Sequence, residues 1–296
     1  MDPKLLPLIT CPRHAETTLK VEQIDRVVNG MIETAQLRCP QCGTTYLIVG
    51  GILDLIGWRW PTSAAHLVNE LPLAAWAYER TWRPVALRLL SGEPFSLQRE
   101  VALITRLVGV EREGLLIDVG CSNGLYARAM AQARQQLGGN GLVVGIDLSL
   151  AMLREAQQRS QRAGLTVSYI RASAQALPFA AGTVHGLVMG GTLNEIGDIP
   201  AALREWQRLL TPRGRGVIMS LTAADSAPAR ALQQILASGG LQFPTISELN
   251  HLFVSAGLHL RAQWQYGIVV FSVVQRIAEE TAESAVDASA PGSDAG

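Results

Sequence analysis

The stretch that decides the fold is Leu115-Leu-Ile-Asp-Val-Gly-Cys-Ser-Asn-Gly-Leu-Tyr-Ala-Arg128. An apolar run ends in an acid, and a glycine-bearing turn then opens a helical pattern. A second apolar run, Leu142-Val-Val-Gly-Ile146, ends in Asp147, and another helical pattern begins at Ser149. A strand–turn–helix unit followed by a strand that ends in an acid is typical of a nucleotide site at the carboxyl ends of parallel strands.

Strand and helix signals alternate over residues 114–276, which we predict to be one domain with seven strands and five helices. This alternation predicts a mostly parallel sheet covered on both faces. The last two strands meet at Tyr266-Gly267, a connection too short for a helical crossover, so they should pair antiparallel. We therefore predict an α/β fold, a Rossmann-like doubly wound seven-stranded sheet with an antiparallel last strand.

Three further regions are predicted around this domain. Residues 1–57 carry paired Cys and His residues between short β-like pieces, and residues 58–113 are rich in helix formers, as a helical lid or linker would be. Residues 277–296 contain no basic and no aromatic residue, so we predict a disordered acidic tail.

Bulk properties argue against several classes of protein. The formal net charge of the 296 residues is zero, and residues 1–57 are close to neutral, which disfavours a nucleic-acid partner. No apolar run approaches the roughly 18 residues that cross a bilayer, and the start lacks the basic segment of a signal peptide. Four cysteines, three of them in a metal-like pattern, fit a reducing compartment, so we expect a cytoplasmic protein.

A series of motifs resembles those of class I S-adenosylmethionine (SAM)-dependent methyltransferases of the type 11, UbiE-like subgroup. The resemblance covers roughly residues 95–275, with the motifs in the family's order. The motifs are Asp118-Val-Gly-Cys-Ser-Asn-Gly124, Gly145-Ile-Asp-Leu-Ser-Leu-Ala-Met-Leu153, Ala176-Leu-Pro-Phe179, Leu203-Arg-Glu-Trp-Gln-Arg-Leu-Leu-Thr-Pro-Arg-Gly-Arg215 and Phe243-Pro-Thr-Ile-Ser-Glu-Leu249 with Ala256-Gly257.

The resemblance implies SAM as the methyl donor, with Asp147 on its ribose hydroxyls and Asp118 on its amino group. Three positions depart from the family pattern: Ser122 replaces its middle glycine, Ser173 its adenine-side acid, and His185 its fourth-strand aspartate. The residues expected around the cofactor are Asp118, Gly120, Ser122, Gly124, Asp147, Leu148, Ser173, Ala174 and Gly190.

The acceptor and the catalytic groups are less constrained by the sequence. A segment Tyr78-Glu-Arg-Thr-Trp-Arg83 is similar to cyanobacterial and plastid UbiE-like enzymes, which implies a quinone-like or other apolar, lipid-soluble small molecule and transient membrane contact. Trp76, Tyr78, Trp82 and Arg83 either wall the acceptor pocket or simply attach their helix to the domain. Candidates to orient or deprotonate the acceptor are Asn194, Glu195 and His185, although a histidine inside a strand is more often a packed one.

Cys11-x-x-His14 and Cys39-x-x-Cys42 form two ligand pairs separated by 24 residues. Two such turns can close a tetrahedron around Zn²⁺, and four protein ligands leave no open position, so the predicted role is structural. The segment resembles Trm112-like zinc ribbons, although His14 stands where a cysteine is more usual. A Cys39–Cys42 redox pair and a ribbon that has lost its metal remain alternatives.

These patterns predict a SAM-dependent methyltransferase with an N-terminal zinc ribbon. An rRNA or tRNA methyltransferase, a non-catalytic zinc-ribbon docking protein, a domain that binds another nucleotide and an inactive methyltransferase are the alternatives. The sequence leaves the methylated atom and the oligomeric state open.

Overall fold

The computed structural model describes residues 1–57 and 96–277. These contain six α-helices, two 3₁₀ turns (Pro3–Leu8 and Thr192–Glu195) and thirteen strands. The helices are α1 Leu97–Val108, α2 Leu125–Gln136, α3 Leu150–Arg162, α4 Ile199–Leu209, α5 Ala227–Ser238 and α6 Ile246–Ser255. The strands are β1 Thr10–Cys11, β2 His14–Thr18, β3 Lys20–Val28, β4 Met31–Arg38, β5 Thr45–Val49, β6 Ile52–Asp54, β7 Leu115–Val119, β8 Val143–Asp147, β9 Ser168–Arg171, β10 Val184–Gly190, β11 Leu210–Leu221, β12 Leu258–Tyr266 and β13 Val269–Arg276.

The central part of the sheet has the strand order β12-β13-β11-β10-β7-β8-β9. Strands β7 to β11 pair in parallel, and β13 pairs antiparallel with both β11 and β12. The order runs outward from β7 in both directions, so the prediction of a doubly wound Rossmann-like sheet is confirmed. The crevice between β7 and β10 is the switch point at which such sheets bind ligands, outside the carboxyl ends of the strands.

The sheet continues beyond the seven predicted strands into the N-terminal region. Strand β6 pairs in parallel with β9, and β5, β4 and β3 follow antiparallel, which makes eleven strands in one mixed sheet. The prediction of a seven-stranded sheet was therefore too small. Strand β6 has only three residues, too few for a hydrophobic period, so no sequence pattern indicates that it joins β9.

Helices cover both faces of the sheet and bury two apolar layers. On one face Trp206 of α4 and Phe253 of α6 are fully buried, in the same cluster as Leu5 and Ile9 of the N-terminal region. On the other face α1, α2 and α3 pack over a cluster that includes Met130. The N-terminal region thus shares its core with the rest of the chain.

Local sequence signals set the ends of these elements. Asp198 caps α4 by accepting from Ala201 N, and Thr245 and Glu248 form a reciprocal capping box at α6. In the β3–β4 hairpin, Asn29 and Gly30 both have positive φ, as a type I′ turn requires. All of the predicted tail except its first residue, and residues 58–95 of the predicted lid, lie outside the described residues. Within the described ranges, no helix has both the length and the apolar character needed to cross a membrane.

Candidate active site

The turn after β7 brings the first motif to the carboxyl end of the sheet. Asp118 is fully buried, and its Oδ2 accepts from Ala127 N of α2 at 2.9 Å, which ties the strand to the following helix. Gly120 and Gly124 have φ of 67° and 79°. A Cβ on Gly120 would overlap the side chain of Thr192, whose hydroxyl donates to Gly120 O at 3.1 Å. The turns after β7 and β10 therefore touch, and only glycine fits at position 120.

Ser122, the departure from the family's middle glycine, has the left-handed backbone that glycine would adopt. Its φ is 49°, and it is one of two non-glycine residues with positive φ in the described part of the chain. Its hydroxyl donates to Met152 Sδ at 3.4 Å. A side chain in this conformation costs about 1–2 kcal/mol, so the turn keeps the family's shape at the expense of backbone strain.

Asp147, at the end of β8, joins the two motif turns. Its Oδ2 accepts from Ser122 N at 2.8 Å and its Oδ1 from Ser149 N at 2.9 Å. The next residue, Leu148, exposes 39% of its surface, which is unusual for a leucine beside a buried strand. A fixed carboxylate next to an exposed apolar side chain can bind the hydroxyls of a ribose while an aromatic base lies on the leucine.

The turn after β9 contributes Ser173 and Ala174, both half-buried. Ser173 Oγ accepts from Gln175 N at 3.2 Å, so the side chain closes its own turn. The structure thus brings these two residues to the same edge as Asp147, with a hydroxyl where the family has an acid.

Gly190 ends β10 against an aromatic ring. A Cβ there would overlap the ring of Tyr126, which is buried and whose hydroxyl donates to Glu100. The ring occupies the volume beside Gly190, so no side chain larger than hydrogen fits at the end of this strand.

Asn194 lies near the crevice, but its amide is fully used within the protein. Its Nδ2 donates to the carbonyls of Leu221 and Gln242 at 2.7 and 2.6 Å, and its Oδ1 accepts from Leu221 N at 2.8 Å. The side chain joins the end of β11 to the loop before α6. This corrects the prediction that Asn194 orients or deprotonates the acceptor, because no donor remains for a substrate and the oxygen is already held by the backbone.

Glu195, by contrast, retains a free chemical role. The residue is exposed, yet desolvation by the surrounding protein and, secondarily, the charge of Asp147 raise the pKa of its carboxyl to about 7. A pKa near neutrality suits a group that takes up a proton during a reaction.

His185 lies at the wrong end of the sheet for catalysis. It is the second residue of β10, about 16 Å from Gly190 at ~3.3 Å per residue. Its Nδ1 accepts from Leu115 N at 3.4 Å, and the ring packs on Gly114. The prediction that His185 is catalytic was therefore wrong. The alternative interpretation, a histidine packed within the sheet, describes this residue.

Two of the family motifs form one structural unit. Arg208 donates to the carbonyls of Leu177 and Phe179 at 3.0 and 2.7 Å, and Glu205 accepts from Leu177 N at 2.8 Å. Arg208 and Glu205 also pair with each other at 2.7 Å. Helix α4 thereby fixes the Leu-Pro-Phe turn, a contact that the spacing of the two motifs along the sequence did not indicate.

The four predicted metal ligands come together in the N-terminal region. The ligand atoms of Cys11, His14, Cys39 and Cys42 all lie within 4.8 Å of one another. His14 Nδ1 is 3.6 Å from Cys11 Sγ and 3.8 Å from Cys39 Sγ. Four ligands of a tetrahedral zinc ion lie about 3.5–3.8 Å from one another, so the donor set and its spacing are compatible with zinc.

Polar neighbours surround this cluster. Tyr46 Oη lies 3.4 Å from Cys11 Sγ, and the Arg13 guanidinium donates to Cys42 Sγ at 3.4 Å. Hydrogen bonds from Thr44 lower the pKa of the Cys42 thiol to about 6. Since thiolates are the form that binds metals, this environment favours a ligand role for Cys42.

Comparison with known proteins agrees with this geometry. Residues 116–214 match the family described as "Methyltransferase domain". Over these residues the chain is similar to that family. The match begins within β7 and ends within β11, and so includes the ends of the four strands that build the crevice.

Curated relatives resemble the chain over part of their length. The 2-phytyl-1,4-naphtoquinone methyltransferase of Thermosynechococcus vestitus is 36% identical over 118 residues, 40% of this chain and 51% of the relative. A methyltransferase of Arabidopsis thaliana named as uncharacterized and chloroplastic is 29% identical over 209 residues, 65% of this chain and 55% of the relative. The chain thus spans about half the length of these relatives.

The solved structures agree on the fold. A SAM dependent methyltransferase from Aquifex aeolicus superimposes with a TM-score of 0.53 at 19% identity, over 70% of this chain and 99% of that one. Residues 114–276 therefore have a Rossmann-like α/β fold.

The crevice collects the predicted cofactor residues on four neighbouring turns, and it adds some that the sequence did not single out. Thr192, Tyr126 and Arg171 contact predicted residues only because the fold brings distant segments together. Trp76, Tyr78, Trp82 and Arg83, the predicted pocket wall, lie outside the described residues.

Proposed function

We propose that the chain is a SAM-dependent methyltransferase acting on a lipid-soluble quinone-like small molecule. The observation that carries the proposal is the Asp147 carboxylate, which the amides of Ser122 and Ser149 hold at the carboxyl end of β8, the strand next to β7 within the residues that match the methyltransferase family. A fixed acid at this place in the fold is suited to the ribose of a nucleoside cofactor.

The residues around the crevice fit SAM. A Cβ on Gly120 would overlap Thr192 and one on Gly190 would overlap Tyr126, so both positions require glycine, and Leu148 offers an apolar surface for adenine. Asp118 would bind the amino group and Asp147 the ribose hydroxyls. When bound, SAM supplies a methyl group activated by the positive charge of its sulfonium.

The protein's own contribution to catalysis is positioning and proton removal. An acceptor that attacks the methyl group through a protonated atom would have to lose that proton. Glu195, with a pKa of about 7, would take this proton at its carboxylate. Holding the acceptor in line with the methyl group supplies much of the remaining rate enhancement.

The acceptor class is inferred from relatives and composition. The relative from Thermosynechococcus vestitus is named for a phytyl naphthoquinone, a bicyclic ring with a long isoprenoid tail. The net charge of zero disfavours RNA, because RNA-binding proteins draw on Lys and Arg contacts to phosphate. An acceptor of this kind resides in lipid, so the enzyme has to reach it there.

Helix α5 is suited to transient contact with a lipid surface. It follows β11, on the crevice side of the sheet, and exposes Leu232, Ile235 and Leu236 by 55%, 69% and 41%. Only Gln233 is well buried among its described side chains, bonded to Thr222 O and Ala224 N. The helix has no acidic residue, so no negative charge opposes contact with lipid.

If α5 contacts lipid in this way, the protein should float with neutral phosphatidylcholine vesicles in a density gradient. Ile235→Ser should reduce the bound fraction severalfold, because it removes the most exposed apolar side chain of α5. Val254→Ser, a similarly exposed residue on α6, is the matched control and should leave flotation unchanged. Equal reduction in both variants, or no flotation of the wild type, would refute this role of α5.

For residues 1–57 we propose a structural zinc module of the ribbon type, and for the whole protein a reducing, cytoplasmic location. The close Cys and His atoms and the free state of all four cysteines in the described ranges support both. Metal analysis of the purified protein tests the zinc site, with about one zinc per chain expected and none after Cys39→Ser.

The function is tested with purified protein, methyl-labelled SAM and a lysate of the source organism, separated into lipid, RNA and protein fractions. Label in the lipid fraction that disappears in Asp147→Asn supports the proposal. Label in RNA instead would replace it with an RNA methyltransferase. No label, together with no SAM binding, would mean that the site is inactive.

A further inference from the structure

Arg171 lies at the carboxyl end of the sheet, beside the predicted cofactor site. It is the last residue of β9, and it stands in register with Asp54 of β6 on one side and Asp147 of β8 on the other. Register partners in neighbouring strands project to the same face of a sheet. The Arg171 side chain is only 11% exposed, so its charge lies within the protein between two acids.

The guanidinium of Arg171 bonds to both neighbouring elements. Its Nη1 donates to Asp54 Oδ2 at 3.2 Å and to Gly57 O at 2.9 Å, both in the N-terminal region. Its Nε donates to Leu148 O at 2.8 Å, in the turn that carries Asp147. One planar, rigid group therefore connects the end of the N-terminal region to the turn expected to hold the ribose and adenine.

We propose that Arg171 is a positioning residue for SAM, and that its pair with Asp54 makes cofactor affinity depend on the N-terminal region. This inference rests on the proposed function. Arg171 acts through the backbone of Leu148 and does not reach the reacting atoms. The N-terminal region then supports the active site directly, in addition to any role in folding.

The coupling has a physical basis in the shared strand end. Leu55 N donates to Arg171 O at 3.0 Å, and Ala172 N donates to Asp147 O at 3.2 Å, so the backbone already holds the three strand ends together. What the backbone does not fix is the turn beyond Asp147, where Leu148 is exposed. The Arg171 bond to Leu148 O supplies that restraint, and Asp54 holds the guanidinium in place.

Asp54→Asn breaks the pair with Arg171 and leaves intact the turn that the Asp54 side chain closes. Asp54 Oδ1 accepts from Ile56 N and Gly57 N at 2.9 Å each, and the Asn oxygen can keep both bonds. The Asn nitrogen replaces Oδ2 and cannot accept from Arg171, so the substitution breaks the pair alone. The matched control is Glu22→Gln, which breaks an exposed pair with Arg38 at 3.1 Å on strand β3.

The experiment measures SAM affinity by titration calorimetry and thermal stability for the wild type and these variants of the full chain. We expect Asp54→Asn to raise the Kd for SAM about 5- to 10-fold while Glu22→Gln leaves it unchanged, with melting temperatures of the two variants within about 2 °C. Arg171→Lys should weaken binding at least as much, and adding Asp54→Asn to it should have little further effect.

A second readout follows from the reciprocity of coupled binding. If SAM affinity depends on the Asp54–Arg171 pair, then SAM must in turn stabilise the segment 52–57. Hydrogen exchange should show added protection of this segment by SAM in the wild type and none in Asp54→Asn. A purely structural pair would change the exchange rate equally with and without SAM.

Two outcomes separate this inference from the proposed function. Normal binding by the wild type with an unchanged Kd in Asp54→Asn and Arg171→Lys overturns the coupling and leaves the proposed function intact. Absence of SAM binding by the wild type overturns the proposed function, and this inference with it.

Discussion

Ser122 offers a change that should improve the protein. The residue has a φ of 49° in the first motif turn, where the family carries glycine. Replacing it with glycine removes a left-handed strain of about 1–2 kcal/mol. Glycine also makes the unfolded chain more flexible, which offsets about 0.5–1 kcal/mol of this gain.

The net expectation for Ser122→Gly is a stabilisation of about 0.5–1 kcal/mol, since the hydrogen bond from the Ser122 hydroxyl to Met152 Sδ, which the change removes, is a weak one. For a chain of this size, such a gain raises the melting temperature by about 1–3 °C. SAM affinity should stay the same or increase, because the backbone amide at position 122 still donates to Asp147.

The assay is thermal and urea unfolding of the wild type and the variant, with Asn29→Gly as the matched control. Asn29 has nearly the same φ, 50°, in the β3–β4 hairpin, but asparagine tolerates this conformation well. The control should therefore change stability by less than about 0.5 kcal/mol. A destabilised Ser122→Gly, or an equal gain in Asn29→Gly, would refute the assignment of strain to Ser122.

Three further changes test the site and its surroundings. Gly190→Ala should destabilise the protein by about 3 kcal/mol and abolish methyl transfer, since its Cβ would overlap the Tyr126 ring. The control Gly197→Ala should leave stability unchanged, because no atom lies near the added Cβ. Equal melting temperatures of the two variants would contradict the packing at Gly190. Because the pKa of Glu195 is raised from 4.5 to about 7, its ionisation lowers stability as pH rises through that interval. Glu195→Gln should therefore stabilise the protein at pH 8 but not at pH 4.5, and should reduce kcat; a pH-independent difference in unfolding free energy would argue against the shift. Arg134 is buried and donates hydrogen bonds to four backbone carbonyls. Arg134→Met should therefore lower the free energy of unfolding, measured in urea, by about 3 kcal/mol or more. A loss below about 1 kcal/mol would contradict this structural role.

The fold was predictable from the sequence where signals are local. Alternating apolar runs and capping residues placed the strands and helices of residues 114–276, and Tyr266-Gly267 correctly implied the antiparallel last pair. The eleven-stranded sheet was missed because β6 is too short to carry a pattern and pairs with β9, more than a hundred residues away.

In the candidate site, too, the features set by local signals were predictable and those set by distant contacts were not. The strand ends that carry Asp118, Asp147 and Gly190 followed from motif order, since parallel strands bring their carboxyl ends to one edge. The role of Asn194 could not be predicted, because its partners are 27 and 48 residues away. His185 could have been excluded from the sequence alone, since the second residue of a parallel strand lies at the opposite edge from the ligand.

Methyl transfer to a lipid quinone can be measured directly with a defined acceptor. Purified protein, methyl-labelled SAM and reduced 2-phytyl-1,4-naphthoquinone are combined in detergent micelles, and the quinone is extracted and counted. We expect label in the quinone with the wild type and at least a roughly tenfold lower rate with Asp147→Asn. Transfer that is unaffected by Asp147→Asn, or no transfer to this or any other lipid quinone by a protein that binds SAM, would contradict it.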